Sequence, residues 1–182
     1  MRMQNKDWIT VICVLLCCML FGNRKVRLFA LIKEQLKVFR NDKKKRISPW
    51  DYVCFLLFPV VISLVFVFKL DLTISSNLAE LLTTVFSIVF TVLFGFAAIM
   101  VSKIDSQNQI EKQVAEETFV SIVSSTVLSL IAAVLSIILT QIKNVLCLQI
   151  ISAALVTISL VIIMLLLLIT KRTFYLYVNN KK

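Results

Sequence analysis

The sequence predicts an all-α polytopic membrane protein. It has four core transmembrane helices in two hairpins, preceded by a short N-terminal hydrophobic helix and a basic amphipathic cytoplasmic helix. Three observations predict this class. The 182 residues are 59% hydrophobic and only 16% charged, where soluble domains run near 45–50% and about 25%. The apolar residues come in unbroken runs instead of alternating, and two Gly and two Pro leave few residues for turns. Enclosing such runs on all sides would take a larger chain. An ordinary soluble enzyme is therefore excluded, and so are collagen-like, linker-rich and disordered classes.

Residues 8–21, WITVICVLLCCMLF, are the first apolar run, within a segment 1–23. Fourteen residues make about 21 Å of helix against a hydrocarbon core of ~30 Å. The run is a short fifth span, a shallow re-entrant helix or a retained signal-like anchor. Cleavage as a signal peptide is disfavoured, because it would export the basic segment that follows and no small-x-small site precedes Gly22 in register.

Residues 24–49 form the basic segment. Between 22 and 48, ten Lys and Arg face Glu34 and Asp42, a net +8 that the positive-inside rule keeps cytoplasmic. Leu28, Phe29, Ile32, Leu36 and Phe39 recur at three- and four-residue spacing, flanked by Lys33, Lys37 and Arg40. That pattern suits a helix lying in the inner interface, or one packed on its own subunit's loop. Lys43, Lys44, Lys45 and Arg46 form a lipid-anchoring cluster, each charge worth about 1 kcal/mol near an anionic surface. The cluster lacks interleaved aromatics and abuts Trp50, so nucleic-acid binding is not expected.

Residues 50–171 hold the transmembrane domain, with spans at 52–68, 78–101, 119–139 and 145–169. Each approaches or exceeds the ~20 residues that a bilayer core needs. Trp50 and Tyr52 serve as interface anchors, and Pro59 bends the first span or frees a carbonyl. A barrel is excluded by the missing lumen-facing alternation. The loops 69–77 and 140–144 lie outside, 102–118 lies inside, and Lys171, Arg172, Lys181 and Lys182 hold the tail 172–182 in the cytoplasm. The linker 102–118, free of Pro and Gly, reads as a helical extension and a tight reversal, with Glu116 and Glu117 opening the third helix.

Polar residues within the spans are few and mild. Thr84, Ser87, Thr91, Gly95 and Ala98 trace one face of the second span, and Ser121, Ser125, Ser129, Ala133, Ser136 and Thr140 one face of the third. Small and hydroxyl residues at this spacing permit close helix approach. They are internal packing, or else a subunit interface or Ser/Thr-lined path built on Ser87, Thr91, Gly95, Ser125, Ser129 and Ser136. Lys69 and Glu80 either pair at the outer end of the first hairpin or form a charged ring at the outer mouth of an oligomeric pore. The absence of His and of paired-cysteine spacing leaves no catalytic, metal-binding or cofactor-binding residues to expect. A small transporter or an intramembrane enzyme is the competing class.

The order of a basic amphipathic segment ending KKKRISPWDY, a Pro-containing span, a second span ending FGFAAIMVSKI, a short polar linker and a second long hairpin resembles small multi-span proteins of bacterial anti-phage defence. Among these are membrane subunits of retron-associated, abortive-infection and Kiwa-type systems. The resemblance covers residues 24–170 in layout. It implies a multi-pass protein of the bacterial inner membrane that permeabilises or depolarises that membrane, or reports its disturbance as a sensor or scaffold, with a cytoplasmic protein partner. The Ser/Thr faces of the second and third spans add the expectation of a homo-oligomer.

Cysteine-accessibility labelling tests the predicted orientation. A reporter cysteine at Asn77 is expected to label from outside the cell and one at Asn108 only from inside; the reverse pattern contradicts it.

Overall fold

The computed structural model describes residues 33–35, 40–41, 46–47, 53–104, 109–142 and 144–179. The run 8–21, all five apolar residues of the 28–39 stripe, Lys43–Lys45, Trp50 and Tyr52 lie outside the described residues. Residues 33–35 are helical. The fold is all-α, with one minimal addition ahead of the helices: β1 (Arg40–Asn41) pairs antiparallel with β2 (Arg46–Ile47), Arg40 opposite Ile47 and Asn41 opposite Arg46.

Four apolar helices follow. The first, α1 (Val53–Lys69), is an α-helical stretch, Phe58–Leu64, between two π-helical turns, Val53–Leu57 and Val65–Lys69. The first change of winding falls beside Pro59, which is buried in the opening turn of the α-helical stretch. Proline has no N–H to donate and its ring crowds the preceding turn, so a wider turn just before it relieves the clash. Seventeen residues give roughly 26 Å of helix, less than the ~30 Å of a bilayer core. The helix ends where Asp71 takes φ 50°, a left-handed conformation that a short polar side chain tolerates. There the Leu70 N–H donates to the Val65 carbonyl at 3.2 Å and the Leu72 N–H to that of Phe66 at 3.4 Å.

The remaining helices, α2 (Ser76–Ile104), α3 (Gln109–Gln141) and α4 (Val145–Asn179), each contain a stretch long and apolar enough to cross a membrane. This is the architecture of a polytopic membrane protein. Ser75 caps α2, accepting the Leu78 N–H on Oγ at 3.4 Å. Asn144 caps α4, its Oδ1 accepting the Leu146 N–H at 3.1 Å. Both occupy the position that satisfies an orphan N–H of the first turn. The helical extension expected after the second span continues to Ile104. The third helix starts earlier than expected, at Gln109, so Glu116 and Glu117 sit two turns inside it. The reason is local: Gln, Glu, Lys and Ala are all good helix formers and nothing there breaks the helix. Likewise α4 runs through Lys171 and Arg172 to Asn179, where a tail was expected.

The packing order is α1–α4–α3–α2. The most extensive contact joins α2 to α3, then α3 to α4, and α1 rests on α4. The first two helices therefore do not form the packed hairpin the sequence suggested, although they are consecutive. Burial shows which helix is central: 44% of the apolar stretch of α3 is buried, against 28% for α4 and 17% for α2. Small residues on more than one side of α3 (Ala115, Ser121, Ser125, Ala132, Ala133) let two neighbours approach it closely. One core cluster gathers Phe86, Ala132, Leu139, Leu155 and Ile162 around Ile74 and Ala79; a second, toward the other end, joins Leu93 and Met100 to Ile122 and Ile169.

Candidate functional site: a hydroxyl spine and a charged clamp

The spine belongs to α3. Thr118, Ser121, Ser125, Ser129 and Ser136 are fully buried. Each returns its hydroxyl proton to its own helix: Ser121 to the Glu117 carbonyl at 3.0 Å, Ser125 to Ser121 at 2.9 Å, Ser129 to Thr126 at 2.8 Å and Ser136 to Ala132 at 2.9 Å. A serine bonded in this way is nearly as small and as apolar to its neighbours as alanine. The spine is enclosed by the chain's own helices, so Ser125, Ser129 and Ser136 line no open path in the single chain.

At one end of this spine lies a pairing of charges. An Arg172 Nη2 donates to Glu117 Oε2 at 3.0 Å, and Nη1 lies 3.5 Å from Ser121 Oγ. Both side chains are mostly buried, at 16% and 30% exposure. Ser121 thus accepts from Arg172 while donating to the Glu117 carbonyl, tying α4 to α3 by side chain and backbone together. A forked guanidinium suits this geometry, since it offers several donors in one plane.

Two further hydroxyl contacts fix α1 and the loop after it. Ser63 Oγ and Thr157 Oγ1 stand 2.6 Å apart, and each also lies within hydrogen-bonding reach of a carbonyl of its own helix, Val60 and Ala153. Only one of the two donates across the gap, leaving the other to donate to its carbonyl. The buried Ile74 N–H donates to Ser152 Oγ at 3.3 Å, pinning the α1–α2 loop onto α4.

The second-span face lies elsewhere. Thr84, Ser87, Thr91, Gly95 and Ala98 are all exposed along α2. The hydroxyls of Thr84, Ser87 and Thr91 donate to carbonyls four residues back. A Cβ placed on Gly95 would meet nothing within 4 Å. Lys69 and Glu80 are both exposed, and among the described residues no ion pair joins them. Of the basic cluster only Arg46 is described, in β2. Among the described residues no group of three His, Cys, Asp or Glu is placed to hold a metal.

Sequence reasoning missed the charged clamp and Ser63. Arg172 was read with Lys171 as a terminal anchor, yet Leu155, Ile162, Leu165 and Ile169 are buried, and spacings of three and four carry that face on to 172. Glu117 continues the Ser121–Ser125 stripe backwards by one turn. Periodicity alone separates Arg172 from its exposed neighbour. No family model, curated protein or solved structure matches the chain.

The clamp makes a measurable prediction. Glu117→Gln and Arg172→Gln are each expected to lower stability in detergent by about 1–3 kcal/mol, because each leaves a mostly buried charge without its partner. The double variant is expected within about 0.5 kcal/mol of the worse single, as coupling demands. Additive losses in thermal unfolding contradict the pairing.

Proposed function

We propose that the protein is a membrane effector of an anti-phage, abortive-infection type of system, not an enzyme. In this reading it works in the bacterial inner membrane as a homo-oligomer that permeabilises or depolarises the bilayer when a cytoplasmic partner activates it. One observation carries the reading. The hydroxyl face of α3 is closed inside the chain, while the equivalent face of α2 is open along its length. A conducting route through the middle of one subunit would need a wetted interior, and the α3 serines are spent on their own carbonyls. Small residues at Ser87, Thr91 and Gly95 suit close approach by a second α2. The route would therefore lie between subunits.

The remaining parts of the proposal follow the charge layout. The net +8 segment and the Lys171–Arg172 pair support a cytoplasmic position for the α2–α3 connection and the end of α4. Lys43, Lys44, Lys45 and Arg46 would hold that side to anionic lipid. Assignment to phage defence rests on the resemblance in layout.

Gly95→Leu is the test. Since a side chain there meets nothing within the subunit, the variant should fold as wild type, and any defect reports contact between subunits. The expectation is loss of crosslinked oligomer together with at least tenfold less potassium release from activated cells. A wild type that assembles and never leaks, with its partner present, favours the sensor or scaffold role. A strictly monomeric wild type in native membranes ends the interface proposal.

A further inference from the structure

A groove of about 650 Å³ runs between α2 and α4. Ile88, Val92 and Phe96 line its α2 wall at four-residue spacing, and Leu166, Thr170 and Thr173 line its α4 wall, with Phe174 at the end. Eight residues along either helix make roughly 12 Å of groove. Its two threonines are not donors to a guest: Thr170 gives its proton to the Leu166 carbonyl at 2.8 Å and Thr173 to that of Ile169 at 2.9 Å. What the walls present is hydrocarbon. The groove also lies within the stretches of α2 and α4 that are apolar enough to cross a membrane.

Water is a poor occupant, since an ordered water needs two to four polar partners. A second copy meeting along Ser87, Thr91 and Gly95 would not fill the groove either. Ile88, Val92 and Phe96 lie roughly 100° round α2 from that stripe at 3.6 residues per turn. Hydrocarbon fits by chemistry: apart from Thr170 and Thr173, every residue lining the groove is apolar. The groove ends at the turn of α4 that carries Lys171, which is exposed. Lys171 adjoins Thr170 and stands one turn before Phe174. Arg172 is engaged with Glu117, so the free cation at that end of α4 is Lys171 among the described residues. Its four-carbon stem allows the ammonium to reach the head-group level from the edge of the groove.

We infer that this groove binds one anionic glycerophospholipid, an acyl chain lying between α2 and α4 and the phosphate held by Lys171. The inference needs the helices to lie in a bilayer and does not depend on the effector reading. It differs from the Lys43–Arg46 cluster, which attracts head groups without seating a chain.

Native mass spectrometry of the full chain tests it. Phosphatidylglycerol and phosphatidylcholine with identical acyl chains are added in turn to the detergent-solubilised protein. Wild type should retain one more phosphatidylglycerol per chain than phosphatidylcholine. Lys171→Gln should weaken that phosphatidylglycerol about fivefold, the factor one lysine carries near an anionic surface, and leave phosphatidylcholine unchanged. Val92→Trp fills the groove from its open side and should remove that additional phosphatidylglycerol; Ile88→Trp should do the same. Val85→Trp, exposed on α2 outside the groove, should bind as wild type. Equal retention of the two lipids by wild type overturns the inference. Unchanged phosphatidylglycerol binding in both groove-filling variants also overturns it, and so does disulfide crosslinking of two chains through Val92→Cys.

Discussion

The fold depends on what a hydroxyl group does where there is no water. In hydrocarbon an unpaired donor costs several kcal/mol, which favours any arrangement that lets a buried Ser or Thr place its proton. Along the α3 spine Ser121, Ser125, Ser129 and Ser136 donate to their own helix, while the shielded Ser124 Oγ on the same helix has no hydrogen-bond partner among the described residues. The helix can then be enclosed by neighbours without owing them hydrogen bonds, and close approach brings the dispersion contacts that hold helices together in lipid. The central place of α3, the flanking of it by α2 and α4, and the displacement of α1 onto α4 all follow from this.

Contacts between helices through hydrogen bonds are correspondingly sparse and placed at the ends and joints. Ser63 meets Thr157 where α1 needs a partner, and Ser152 receives the Ile74 N–H where the loop must be held. Arg172 reaches Glu117 and Ser121 at the end of α3 opposite that loop. These polar contacts set register; the apolar clusters around Phe86 and Leu155 at one level, and Leu93 and Ile122 at the other, supply the bulk of the packing.

Much of the architecture was legible in the sequence because length and hydropathy act locally. The three long helices stand where their apolar runs stand, and the first apolar helix occupies Val53–Lys69. Packing order was not legible, because a periodic stripe says that a face is small without saying which neighbour it meets. The stripes of α2 and α3 look alike, yet Ser125 is buried and Ser87 exposed. The π-helical turns of α1 were signalled only by Pro59, and the left-handed Asp71 by nothing in the pattern. The candidate site was half legible: the serine spine was visible as a spacing, whereas Glu117 and Arg172 are 55 residues apart in sequence and only the fold brings them together.

The contrast between the two stripes joins the fold to the proposed action, since the closed stripe builds the subunit and the open one is available to another copy. The most direct test of the account is the stability of Ser129→Leu beside Ser87→Leu, measured by unfolding in micelles dilute enough to keep the chains apart. An enclosed α3 predicts that Ser129→Leu costs about 1–3 kcal/mol through overpacking, while Ser87→Leu stays within about 0.5 kcal/mol of wild type. Equal tolerance of leucine at both positions, or a larger loss at Ser87, would contradict a bundle centred on α3.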